Sequence, residues 1–151
     1  LAIPVGIWVG RMGCLCAGCC YGSPTSLFWA ISFEPYHLGS RTILPQVLAA
    51  HSDWASIPIH PTQWLESLAN LGIFLFLFLT RKKSRQDGWF FGNWLFLYAL
   101  ARFGIEFLRA DQRSFLIKNF LSQAQGISLV IILICCTTKV RQFRKDKLKL
   151  V

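Results

Sequence analysis

The sequence predicts an all-α, polytopic membrane helix bundle with an irregular extramembrane loop region. Three observations carry that prediction. Hydrophobic residues make up 54% of the 151 and charged residues only 15%, where ordinary soluble domains have about 25% charged. The apolar residues fall into runs of spanning length. The basic residues bracket those runs: of sixteen Lys and Arg, four lie within 81–85 and six within 139–149. A net charge of +9 would also suit a nucleic-acid binder, but clusters flanking apolar runs read as membrane topology, so no nucleic-acid partner is expected.

The elements follow in order, as one membrane domain over residues 1–151. Residues 1–9 are apolar and read as the end of a partial first span, drawn over about 1–20. No charged stretch precedes them, so they do not read as a signal peptide, and the chain is expected to begin inside a longer protein. Residues 10–22 are rich in Gly and Cys and read as an irregular or broken segment. Residues 23–61 hold Pro24, Pro35, Pro45, Pro58 and Pro61 and read as an extramembrane loop with short pieces of structure. Its Trp29, Tyr36 and Trp54 suit the membrane interface.

Residues 64–80 form the next span; seventeen residues at about 1.5 Å each reach roughly 26 Å, just enough to cross. Residues 81–87 make a tight basic turn, and 89–108 a further span. Residues 109–125 are a polar loop, and 126–138 a short last span before a basic tail. The positive-inside rule places 81–88 and 139–151 in the cytoplasm. Loops 23–61 and 109–125 then face the other side.

Three runs carry candidate chemistry. In the first, Tyr98, Arg102, Glu106 and Arg109 recur at helical spacing and predict a polar stripe on a span. Such a stripe avoids lipid and faces the bundle or a wet cavity. The bland alternative is an Arg102–Glu106 pair that only locks the helix, with Arg109 snorkelling to the interface. Two arginines against one carboxylate leave a surplus positive charge, which favours an anion, a phosphate above all.

The second run is Gly10-Arg11-Met12-Gly13-Cys14-Leu15-Cys16-Ala17-Gly18-Cys19-Cys20-Tyr21-Gly22. Its glycines, Gly13 and Gly18 among them, allow close backbone approach to a ligand or tight helix packing. Arg11 adds a permanent cation. The cysteines are small apolar fillers, a redox thiol pair, or ligands converging on one ion. Cys14, Cys16, Cys19 and Cys20 match no standard zinc spacing, so neither metal nor cofactor is expected. The third run is His60-Pro61-Thr62-Gln63-Trp64-Leu65-Glu66. Pro61 suits a first helical turn, Thr62 a cap, and Glu66 an interfacial or site carboxylate. His60 reads as an acid–base group or as a hydrogen-bonded joint.

In this order the three runs resemble the prolipoprotein diacylglyceryl transferase family. The matching pieces are Gly10-Arg11-Met12-Gly13, then His60 through Glu66, then Tyr98, Arg102, Glu106 and Arg109. The resemblance covers roughly residues 5–135. It implies the C-terminal half of an inner-membrane bacterial enzyme of about seven helices. The implied reaction moves a diacylglyceryl group from phosphatidylglycerol to a preprolipoprotein cysteine thiol, with glycerol phosphate leaving. By that likeness Arg11, Arg102 and Glu106 are the catalytic candidates. Tyr98, Arg109, His60, Glu66, Gly13 and Gly18 are substrate-binding candidates. The family pattern has Asn where this chain has Cys14 and Glu where it has Cys19, which marks a cysteine-rich branch with a candidate thiol site at those two positions. The family's His-Gly-Gly segment would lie before Leu1. Two other function classes compete: a non-enzymatic membrane protein binding metal or sensing redox state through residues 14–20, and a transporter lined by the Arg102–Glu106 stripe.

Overall fold

The computed structural model describes residues 1–38, 40–82, 88–110, 115–117 and 121–148. Most of them are helical. Helix α1 spans Ala2–Ala17, α3 Thr62–Leu79, α4 Trp89–Ile105 and α5 Gln123–Leu148, with a short α2 at Gln46–Ala50. Two antiparallel hairpins accompany them: β1 (Tyr36–Leu38) with β2 (Arg41–Ile43), and β3 (Phe115–Ile117) with β4 (Leu121–Ser122). The helices pack in the order α1 on α3, α3 on α4, and α4 on α5.

Helix α1 differs from the irregular segment expected at residues 10–22. It runs unbroken through Gly10 and Gly13 and stops at Gly18, whose φ of 63° takes the left-handed conformation of a glycine C-cap. A Cβ at Gly10 or Gly13 would meet nothing within 4 Å, so these glycines cost helix propensity without opening the helix. At Gly18 a Cβ would lie 2.5 Å from the Pro45 Cβ. Gly18 is thus the point where α1 abuts the start of α2.

Helix α3 begins at Thr62, and Pro61 rather than Thr62 occupies the cap position. Its burial pattern is inverted relative to a water-soluble helix. Thr62, Gln63, Glu66, Ser67 and Asn70 are buried along with Ile73 and Leu77, while Trp64, Leu68, Leu75, Phe76 and Leu79 are exposed. Polar groups facing inward and apolar groups facing out suit a helix whose solvent is hydrocarbon. By length and composition α3 is long and apolar enough to cross a membrane; Ala2–Ala17 and Gln123–Lys139 are shorter apolar helices.

Helix α4 ends at Ile105 and tightens into a 3₁₀ turn at Glu106–Leu108. Arg109 is extended (φ −81°, ψ 142°), so it does not continue the helical stripe that its spacing suggested. Helix α5 starts at Gln123, inside the expected loop 109–125, and runs on through the basic tail to Leu148. Its start is a capping box. The Ser122 hydroxyl accepts the Gln125 N–H at 3.2 Å, and the Gln125 side-chain oxygen accepts the Ser122 N–H at 3.1 Å. Most of the expected basic turn 81–87, and parts of loop 109–125, lie outside the described residues.

Residues 23–61 form a small cap with its own apolar cluster. Tyr21, Val47, Leu48 and Ile59 are buried together, with Phe33, Trp54 and Ile57 packed around them. His51 stacks on Trp54 at 4.1 Å between centroids.

Candidate functional site

Backbone bonds draw the three motif runs to one end of the bundle, under the cap. Gly22 donates its N–H to the His60 carbonyl at 3.1 Å, and Ser23 donates to the Leu108 carbonyl at 2.9 Å. His60 donates back to Ser23, and Ala110 to the Tyr21 carbonyl. Gly22 and Arg109 form an isolated bridge. A Cβ on Gly22 would lie 2.5 Å from the His60 Cβ, 2.6 Å from the His60 oxygen and 2.8 Å from the Leu108 oxygen. Only glycine allows the three segments this close.

One helical turn inside that knot, Glu66 joins the two motif arginines. Arg11 Nη2 lies 2.6 Å from Glu66 Oε1, and Arg102 Nη1 lies 3.5 Å from Glu66 Oε2. Arg102 Nη2 also pairs with Glu106 Oε2 at 3.0 Å, the expected i,i+4 partner. Glu106 Oε1 accepts the Ser122 hydroxyl at 2.9 Å. Four ionisable groups from α1, α3 and the end of α4 therefore form one cluster.

This geometry adds to the charge count. The sequence set Arg102 and Arg109 against Glu106; the structure brings in Arg11 and Glu66, one more of each sign. Arg11, Arg102, Glu66 and Glu106 together carry no net formal charge. What remains asymmetric is access. The Arg11 and Arg102 side chains keep 18% and 17% of their surface exposed, against 3% for Glu66 and 1% for Glu106. The carboxylates are closed off while both arginine side chains keep some surface open, so a ligand reaching the cluster touches the arginines rather than the carboxylates. Each guanidinium has five N–H donors in fixed fork geometry, and the carboxylates occupy only some of them.

The other expected residues fall around this cluster. Tyr98 lies one turn before Arg102 on α4 and stacks with Trp94 at 5.7 Å. Arg109 is buried beside the knot, not snorkelling at an interface. His60 is buried too, and its Nδ1 accepts the Trp29 indole N–H at 3.1 Å. That bond leaves the proton of a neutral ring on Nε2 and marks His60 as a joint between cap and α3. Gly18 packs on Pro45, whereas Gly13 faces open space. Thr62, the expected cap, instead donates its hydroxyl to the Cys20 carbonyl at 2.5 Å.

Two contributors had no role assigned from the sequence, although Gln63 stands in the third run. Gln63 donates from Nε2 to the Cys19 carbonyl at 2.6 Å, and Ser122 reaches Glu106 from the start of α5. The Ser122-x-x-Gln125 pattern ahead of an apolar run was a legible signal for the latter.

Just past the end of α1 the chain folds its cysteines back. Cys19 donates its N–H to the Cys14 carbonyl at 3.1 Å. The sulfurs of Cys14, Cys19 and Cys20 all lie within 4.8 Å of one another. Cys16, grouped with them by sequence, is exposed and stands apart. Burial, with the Cys14 and Cys20 thiols alongside, pushes the Cys19 thiol up to about 12. A thiol held protonated in this way is no ready-made nucleophile.

The family model described as prolipoprotein diacylglyceryl transferase matches residues 1–141, a stretch that holds all three converging runs. The chain belongs to this family. Among its relatives, phosphatidylglycerol–prolipoprotein diacylglyceryl transferase 2 of Clostridium perfringens is 33% identical over 124 residues, covering 82% of this chain and 42% of that protein. The Clostridium tetani enzyme of the same type is 33% identical over 138 residues, covering 91% and 49%. The Pseudomonas fluorescens enzyme is 31% identical over 134 residues, covering 87% and 44%. The chain spans about half the length of the curated relatives it matches. As a family member it carries the two motif arginines and the two carboxylates in one cluster.

Proposed function

We propose that this chain forms the headgroup-binding part of a membrane transferase. The enzyme moves a diacylglyceryl group from phosphatidylglycerol to a thiol, such as that of a preprolipoprotein cysteine. The observation that carries the reading is the asymmetry of access in the ionic cluster. Arg11 and Arg102 keep part of their side chains exposed, while Glu66 and Glu106, which pair with them, are closed off.

The chemistry needs such an arrangement. The acceptor thiol gives its proton to water, its sulfur bonds to the glyceryl carbon as the carbon–oxygen bond to phosphate breaks, and the electron pair leaves on glycerol phosphate. Donors fixed where that charge grows stabilise the transition state most. Glu66 fixes both guanidiniums, so little reorganisation is left for the moment of reaction. Tyr98, on the same face as Arg102, positions the headgroup. Arg109, His60 and Gly22 hold the segments that carry the cluster.

The rest of the reading follows from topology. Helices α1, α3, α4 and the apolar part of α5 act as spans of a multi-pass protein of the bacterial inner membrane. The cluster lies at the bundle end that bears the 23–61 cap, opposite the end of α3 that runs into Thr80–Lys82. The positive-inside rule makes that the non-cytoplasmic end.

Transfer of labelled phosphatidylglycerol lipid in proteoliposomes, using the full-length protein, tests the proposal. Arg102→Ala should lower transfer at least ~100-fold, the range seen when one transition-state donor is removed, while membrane insertion is retained. Arg102→Lys keeps the charge but not the fork, and should recover only a small part. Wild-type transfer by Arg102→Ala would end the proposal.

A further inference from the structure

We propose that Cys14, Cys19 and Cys20 form a three-thiolate zinc site whose fourth position is left to an exchangeable ligand. The ionic cluster does not use these residues, and the site stands whether or not the transfer reading holds. Three features argue for it.

The first is the placement of the sulfurs. All three lie within 4.8 Å of one another. Zinc–sulfur bonds of about 2.3 Å in tetrahedral geometry put sulfurs roughly 3.8 Å apart. Closing that difference takes about an ångström, which side-chain rotation supplies. A disulfide would need two sulfurs at about 2.05 Å and would strand the third thiol.

The second is how firmly the backbone is held. The left-handed Gly18 turns the chain back on α1, and Cys19 bonds to the Cys14 carbonyl. Cys20 keeps a φ of 57°, unusual for a residue with a side chain. Two buried groups at the start of α3 grip this turn: Thr62 holds the Cys20 carbonyl and Gln63 the Cys19 carbonyl. Both thiols past the turn are thereby aimed back at Cys14, as a preformed site requires.

The third is charge. Three thiolates and one Zn²⁺ sum to −1. Arg11, one turn before Cys14 on α1, already pairs with Glu66 at 2.6 Å and so offsets this charge only in part. Loading the site releases three thiol protons to water and involves no oxidation or reduction. A set of soft sulfur ligands selects zinc or copper(I) over magnesium or calcium. Three protein ligands with an open fourth position form the pattern of zinc sites that exchange a ligand.

The experiment uses the full-length protein, purified in detergent from zinc-supplemented cells under reducing conditions. Metal analysis should find close to one zinc per chain. In the wild type, maleimide should label Cys16 while Cys14, Cys19 and Cys20 stay protected until a strong chelator is added. This readout needs no variant to fold. Cys14→Ser, Cys19→Ser and Cys20→Ser should each lower bound zinc at least tenfold, and Cys16→Ser should leave it unchanged. Cys14→His should retain the metal, and its cobalt-loaded form should show a weaker sulfur charge-transfer band. Protein without zinc, equal loss in Cys16→Ser, or a disulfide joining two of the three cysteines would each overturn the site. Copper at the same sulfurs would overturn the choice of ion.

Discussion

At the scale of single residues the decisive group is Glu66. It is the only carboxylate among the described residues that pairs with both motif arginines. Glu66→Gln keeps the shape and one acceptor oxygen but leaves two guanidiniums facing one remaining carboxylate. Breaking a fully buried ion pair costs about 3–5 kcal/mol; the exposed edges of Arg11 and Arg102 should bring the figure here nearer ~2 kcal/mol. Thermal unfolding in detergent should therefore show a clearly lower midpoint for Glu66→Gln. Glu106→Gln should shift it less, because the amide oxygen still accepts the Ser122 hydroxyl. Equal midpoints for Glu66→Gln and wild type would show that the cluster does not depend on this carboxylate. The sequence made Arg11 and Arg102 legible as cations without lipid-facing alternatives. It did not reveal the hub. Arg11 and Glu66 stand 55 positions apart, and nothing local distinguishes a site carboxylate from an interfacial one.

At the scale of elements, Ser122 tests how one residue serves two structures. Its hydroxyl caps α5 and also donates to Glu106. Ser122→Ala loses both; the cap alone is worth about 1 kcal/mol. Ser122→Asp separates the roles, because aspartate caps helices well but places a second carboxylate against Glu106. Ser122→Asp should thus be at least as unstable as Ser122→Ala in detergent melting, and should transfer lipid more slowly. If Ser122→Asp matched wild type, capping would be the residue's whole function. Legibility varied among the helices for physical reasons. Helix α3 was plain from its apolar run, yet its polar residues looked like tolerated exceptions when they are its buried face. Helix α1 was masked by Gly10 and Gly13, whose cost in water does not break a helix packed along α3. The capping box at Ser122 was readable, but the polar stretch around it pulled the expected loop three residues too far.

At the scale of the whole molecule, the fold places the three motif runs at one end, while Arg81 and Lys82 follow the far end of α3 and Lys139 reaches Asn93 near the start of α4. Helix α1 enters the knot at its C-terminal end, α3 at its N-terminal end and α4 at its C-terminal end, so the three helices alternate in direction. The cap 23–61 lies over that end, and Phe28 on it is 93% exposed. On the proposed topology the side that the cap faces follows from charge: the basic residues at 81–85 and 139–149 would hold the opposite end in the cytoplasm. A protease site inserted after Phe28 should then be cleaved in intact spheroplasts, while an epitope at the C-terminus should be digested only in inverted vesicles. The readout is the size of the tagged fragment on a blot. Protection of the Phe28 site in spheroplasts, with exposure of the tag, would turn the bundle over. Arg11 and Arg102 would then open toward the cytoplasm, where phosphatidylglycerol is also available but a thiol presented on the outer side could not reach them. The side of the cap therefore decides which acceptors the cluster can serve, independently of whether its arginines bind phosphate.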